Sequence, residues 1–201
     1  MPLQESWLDN LRPRRRPVFF SWARRLNGIK YLSAIALLAL GYRLLIILVF
    51  KFPLPDDLRV YPVWPTAAYS QIILLLMGLK FWPAVALGSL LNSLMSDQQN
   101  WLMNGLSAAN NTLQALLGSW LLLRSNFSPR FDHLRDVGLL VVFGGMVPAA
   151  LSASLGVLIC CLQDAASTKV LTTMWFDWWI GNFSGVLILF PAILTLPEWS
   201  K

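Results

Sequence analysis

The chain has 201 residues, 56% of them hydrophobic and only 13% charged, with a positive mean hydropathy; that balance excludes an ordinary soluble domain and indicates an integral membrane protein. The net charge of +6 would suit nucleic acid in a soluble protein. Here the basic residues gather where membrane topology and anionic headgroups account for them, so no nucleic-acid partner is expected.

Residues 1–30 form a basic leader containing Arg12, Arg14, Arg15, Arg16, Arg24, Arg25 and Lys30. The apolar run after it is too long for a signal-peptide core and no small-residue cleavage pattern follows, so it is read as a retained span. Trp7, Phe19, Phe20 and Trp22 would let part of the leader lie along the membrane surface. Six apolar runs follow, at about 31–50, 62–79, 82–95, 101–123, 137–162 and 174–196. Irregular backbone cannot face lipid, so each is read as a helix. The expected fold class is an all-α integral membrane bundle of about six transmembrane helices, occupying residues 31–201 as one domain. With the leader held in the cytoplasm, alternation places Lys80, Arg124, Arg130, Arg135 and Lys201 inside and only Lys51, Arg59 and Lys169 outside. Both termini are then expected in the cytoplasm.

In the first span, Arg43 falls about 10 Å from the outer end. A cation at that depth should face the bundle; Asp177 is the expected partner, or Asn182 with Asn111, and snorkelling or simple packing contacts remain the alternative. The second span carries Gln71 and opens at Pro65; the third opens at Pro83 and carries Gly88 and Asn92. The tight "GLK" link between these two predicts an antiparallel hairpin. The fourth span, "WLMNGLSAANNTLQALLGSWLLL", places Asn104, Ser107, Asn110, Asn111, Gln114 and Gly118 within about a third of the helix circumference, a polar stripe on a membrane helix.

The fifth span contains Pro148, where a kink is expected. Its Cys160 and Cys161 are adjacent, which makes a poor disulfide. The sixth, "MWFDWWIGNFSGVLILFP", brings Asp177, Trp178 and Asn182; Asp177 and Asn182 lie on different stripes. Gly181 and Gly185 have the spacing of close helix approach. By this placement the outer half of the bundle is polar inside and the inner half plain, with Trp64, Trp101, Trp175, Trp178 and Trp179 at the outer boundary. His133 falls in a cytoplasmic loop and is expected in solvent. No metal cluster, phosphate loop or nucleophile with a base partner is visible, so neither cofactor, metal nor catalysis is expected.

The series "VWPTAAYSQIILLLMGLKFWPAVALGSLLNSL", "NNTLQALLGSWLLLR" and "DWWIGNFSGVLILFPAIL" resembles the bacterial membrane-associated sensor domain of type one, the first MASE family. The resemblance runs from about residue 60 to 196 and marks Trp64, Pro65, Trp82, Pro83, Gly88, Asn92, Asn111, Thr112, Trp178, Trp179, Gly181, Asn182, Gly185 and Pro191. The family's acid in the Trp-Trp segment is Asn182 here, so a proton-linked or cation-linked role does not carry over to that position. The resemblance implies an input module for a histidine kinase or a cyclic-di-GMP enzyme. The chain ends soon after the sixth span, as expected of a fragment, an isolated domain or a free-standing subunit.

These readings converge on a sensory domain whose polar cavity uses Arg43, Gln71, Asn92, Asn110, Asn111, Gln114, Asp177, Trp178 and Asn182, with Gly88, Gly181, Gly185 and Pro148 shaping the helices. Its expected partners are membrane lipids and a C-terminal effector or a membrane protein, and a homodimer is compatible. A small-solute transporter or binding subunit is one alternative, although no inverted repeat is seen. A membrane anchor that dimerises through Gly181 and Gly185 is another.

Overall fold

A computed structural model describes residue 23 and residues 25–52, 61–94, 100–131, 133–162 and 168–195. The leader's proposed surface segment lies outside them. Six helices and no strand occur among the described residues: α1 (Gly28–Phe50), α2 (Pro65–Met77), α3 (Trp82–Leu94), α4 (Trp101–Arg124), α5 (Leu134–Cys161) and α6 (Thr168–Thr195). Each coincides with one of the six apolar runs. Three are long and apolar enough to cross a membrane: α1, α5 and residues 170–194 of α6. α4 has the length, at 24 residues, but its polar stripe lowers its hydropathy. With 13 residues each, α2 and α3 reach only about 20 Å, against roughly 30 Å of hydrocarbon.

α2 and α4 form a central pair, with α1 and α3 packed on one side and α5 and α6 on the other. The expected hairpin between α2 and α3 does not form: the two hardly touch, and each packs instead on α1 and α4. The reason lies in α2, where nine of 13 residues are buried. A helix buried all round belongs in the middle of a bundle, and Gly78, at φ 109°, starts a single 3₁₀ turn (Leu79–Phe81) that carries the chain outward to α3. Tyr31 donates from its hydroxyl to the Lys80 carbonyl at 2.6 Å, and Lys80 Nζ donates to the Leu26 carbonyl at 3.2 Å, pinning the start of α1 to that turn.

Pro65 and Pro83 stand in opening turns, where a missing N–H costs nothing. Pro148 acts differently. The turns just before it widen into a π-helical stretch, Leu140–Met146, in which Val147 N–H bonds the Val142 carbonyl five residues back. Where α4 and α6 finish and α5 begins, the interior is apolar, with Phe127 edge-on to Phe131 and Phe190 and packed with Leu122 and Leu140. The polar groups collect toward the opposite end.

Candidate functional site

The chain does not enter α2 as a helix. Residues 61–64 run across the face of α6, and unpaired backbone in that position would be costly inside a membrane protein. α6 supplies the partners: Trp64 N–H donates to the Gly181 carbonyl at 2.8 Å, and Ser184 Oγ donates to the Pro62 carbonyl. Gly181 and Gly185 make room for this crossing. A Cβ on Gly181 would meet the Tyr61 carbonyl oxygen at 2.8 Å, and one on Gly185 would overlap that of Trp64. The glycine spacing therefore serves an extended segment rather than a second helix, and both residues are buried within the chain.

Trp64 and α2 then wall a cavity with α1, α4 and α6. Its lining is Tyr42, Trp64, Thr66, Ala67, Ser70, Asn111, Gln114, Ala115 and Asn182, and its volume is about 10 Å³, room for about one water molecule. The Tyr42 hydroxyl lies near the Thr66 and Ser89 side chains, and Asn111 Nδ2 donates to Ser89 Oγ at 2.8 Å. Asn182 Nδ2 is turned back onto the Trp178 carbonyl at 3.1 Å. Gln114 is 3% exposed, and its Nε2 is buried with no protein acceptor. The lining polar groups are hydroxyls and side-chain amides, so the arrangement can hold a small polar molecule by hydrogen bonds.

Of the nine candidates, Asn111, Gln114 and Asn182 meet at this cavity, and the others go elsewhere. Arg43 corrects the expected pairing: its Nη1 donates to Asn92 Oδ1 at 2.6 Å, because α1 packs on α3 and not on α6. Asp177 is half-buried on α6, away from Arg43. Trp178 covers Gly156 of α5, where a Cβ would lie 2.7 Å from the ring. Asn110, next to Asn111, reaches the other way and donates to the Ser152 carbonyl at 3.0 Å.

Gln71 has a separate task. Wholly buried, it donates from Nε2 to the Gly144 carbonyl at 2.8 Å. Gly144 is four residues before Pro148, which has no N–H to give it, so α2 supplies the donor that α5 lacks. Gly118 of α4 leaves the space, since a Cβ there would fall 2.6 Å from Gln71 Nε2. Trp179 Nε1 donates to the Met146 carbonyl at 3.2 Å, holding the end of the π stretch from α6. Sequence reasoning missed Tyr42, Thr66, Ser70 and Ser89; the spacing of Thr66 and Ser70 at i and i+4 in an apolar helix was the available signal.

A family model, MASE1, matches residues 32–201. The chain belongs to the MASE1 family. MASE1 is a family of membrane-associated sensor domains, and this chain is accordingly a membrane-associated sensory domain. Searches of the curated proteins and of the solved structures find no match. The geometry gives physical content to positions marked by the MASE1 resemblance: Gly181 and Gly185 admit residues 61–64, and Gly88 admits Tyr42, whose Cβ would be 2.7 Å from an added Cβ. Asn182 stands in the cavity wall.

Proposed function

We propose that this MASE1 chain is the signal-input domain of a bacterial inner-membrane protein, with six crossing helices, both termini in the cytoplasm, and the polar cavity as its receiving element. The observation that carries this reading is the convergence of Tyr42, Thr66, Ser70, Asn111, Gln114 and Asn182 from four helices on one small space, with the buried Gln114 amide lacking a protein acceptor. A ligand larger than water enters by parting α2 from α6, and it shifts the domain to the extent that it binds the parted form better.

α2 couples the cavity to the rest of the bundle. Its Thr66 and Ser70 line the cavity, and its Gln71 holds the π stretch of α5, so a displacement of α2 reaches α5 directly. The twelve basic residues assigned to the cytoplasmic side support the topology. The output is a cytoplasmic effector such as a histidine kinase or a cyclic-di-GMP enzyme, joined to the chain or reached through a membrane partner.

A diguanylate cyclase fused after Lys201 tests the reading. Asn111→Leu combined with Gln114→Leu is expected to shift cyclase output at least about fivefold, the lower end of ordinary coupling, while thermal unfolding shows a folded domain. Output that survives exchange of the whole bundle for an unrelated one reduces the domain to an anchor. Solute uptake by proteoliposomes would make it a transporter.

A further inference from the structure

We propose that Arg43 is a binding site for a phosphate oxyanion, separate from the polar cavity and independent of its role. Arg43 stands seven residues before Phe50, the last residue of α1, and thus about 10 Å from the end of a helix able to cross a membrane. A guanidinium held there needs a counter-charge. The protein partner it has is neutral: Asn92 Oδ1, at 2.6 Å from Nη1. The carboxylates among the described residues are Asp136, which accepts from Ser128 N–H at 3.1 Å, and Asp177, which lies on α6; neither pairs with Arg43.

The geometry of the Asn92 bond decides what remains. It takes Nη1 and leaves the opposite edge, Nε with Nη2, which is the two-donor fork that matches two oxygens of a phosphate. Nε is buried with no protein acceptor, so that edge has an unmet donor, which a phosphate oxygen reaches once the side chains covering it part. An aspartate at position 92 would have cancelled the charge, whereas Asn92 fixes the guanidinium and leaves its positive charge available. Arg43 is only half-buried, and an arginine side chain is long enough to snorkel toward the headgroup layer, where phosphodiesters lie. A lipid phosphodiester and a free phosphate share this chemistry.

The test follows the Nε–Hε resonance of Arg43 in the full chain, labelled with ¹⁵N-arginine in dodecylmaltoside micelles, during separate titrations with dioleoylphosphatidylglycerol and inorganic phosphate. A saturable shift is expected. If phosphatidylglycerol produces it, the source is lipid; if inorganic phosphate alone produces it, the source is soluble. Arg43→Gln should abolish retention of the active probe in native mass spectrometry, and Arg43→Lys, which keeps the charge without the fork, should weaken it about tenfold. Equal binding by Arg43→Lys overturns the fork. The site itself is overturned by no saturable shift with either probe, or by a resonance that responds instead to Asp56→Asn, Asp57→Asn or Asp97→Asn, since the counter-ion would then be the chain's own.

Discussion

Gly185→Ala is expected to destabilise the domain by about 3 kcal/mol, the upper part of the usual range for overpacking. The new Cβ would overlap the Trp64 carbonyl oxygen and stand 2.8 Å from its carbon. Those are backbone atoms, so no side-chain rotation relieves the overlap. Nor can the segment drift away freely, because Trp64 N–H is bonded to the Gly181 carbonyl one turn earlier on α6. Relief comes by lifting residues 61–64 off α6, which removes Trp64 from the cavity wall as well. Gly105→Ala is the matched control: its Cβ meets nothing within 4 Å, and in a helix the exchange should stabilise by about 0.5–1 kcal/mol. Thermal unfolding of both variants in the same detergent measures the contrast; equal midpoints would mean that residues 61–64 do not dock on α6.

Gln71→Leu should cost about 1–3 kcal/mol, the penalty for leaving a buried acceptor unpaired. The decisive result is its dependence on Pro148. In a Pro148→Ala background the residue at 148 regains an N–H for the Gly144 carbonyl, α5 can close as a regular α-helix, and Gln71→Leu should cost less than half as much. A double-mutant cycle of unfolding midpoints reads this coupling. Costs that simply add would show that Gln71 is a packing residue and that the π stretch has another origin.

Much of the architecture was legible because membrane helices announce themselves by length and apolarity, and because Pro65 and Pro83 mark where helices begin. The stripe on α4 likewise led to Asn111 and Gln114. What periodicity cannot supply is the neighbour each face meets. Asn110 and Asn111 share that stripe yet bond to α5 and α3 respectively, and Arg43 finds Asn92 because α1 lies against α3. A helical wheel orders residues around their own axis and says nothing of which helix stands opposite.

Two further departures have definite physical causes. Gly181 and Gly185 carry the spacing of helix–helix contacts, but a non-helical strand of backbone needs the same clearance, and spacing alone does not distinguish them. Pro148 was expected to kink α5 on its own account. Its effect is distributed over Leu140–Met146 because side chains from two other helices, Gln71 and Trp179, take up carbonyls along that stretch. That long-range compensation leaves no local pattern.

That the polar cavity receives its ligand from the outer aqueous phase, as the proposed topology requires, is tested most directly by thiol accessibility. Ser70→Cys places a small reactive group in the cavity wall, in a background with Cys160 and Cys161 replaced by serine, and Leu37→Cys, 69% exposed on α1, serves as the lipid-facing control. Intact cells are treated with a membrane-impermeant cationic methanethiosulfonate reagent. Modification of Ser70→Cys well above the Leu37→Cys control is the expected result. Labelling no faster than that control, in protein shown to be folded, would contradict it.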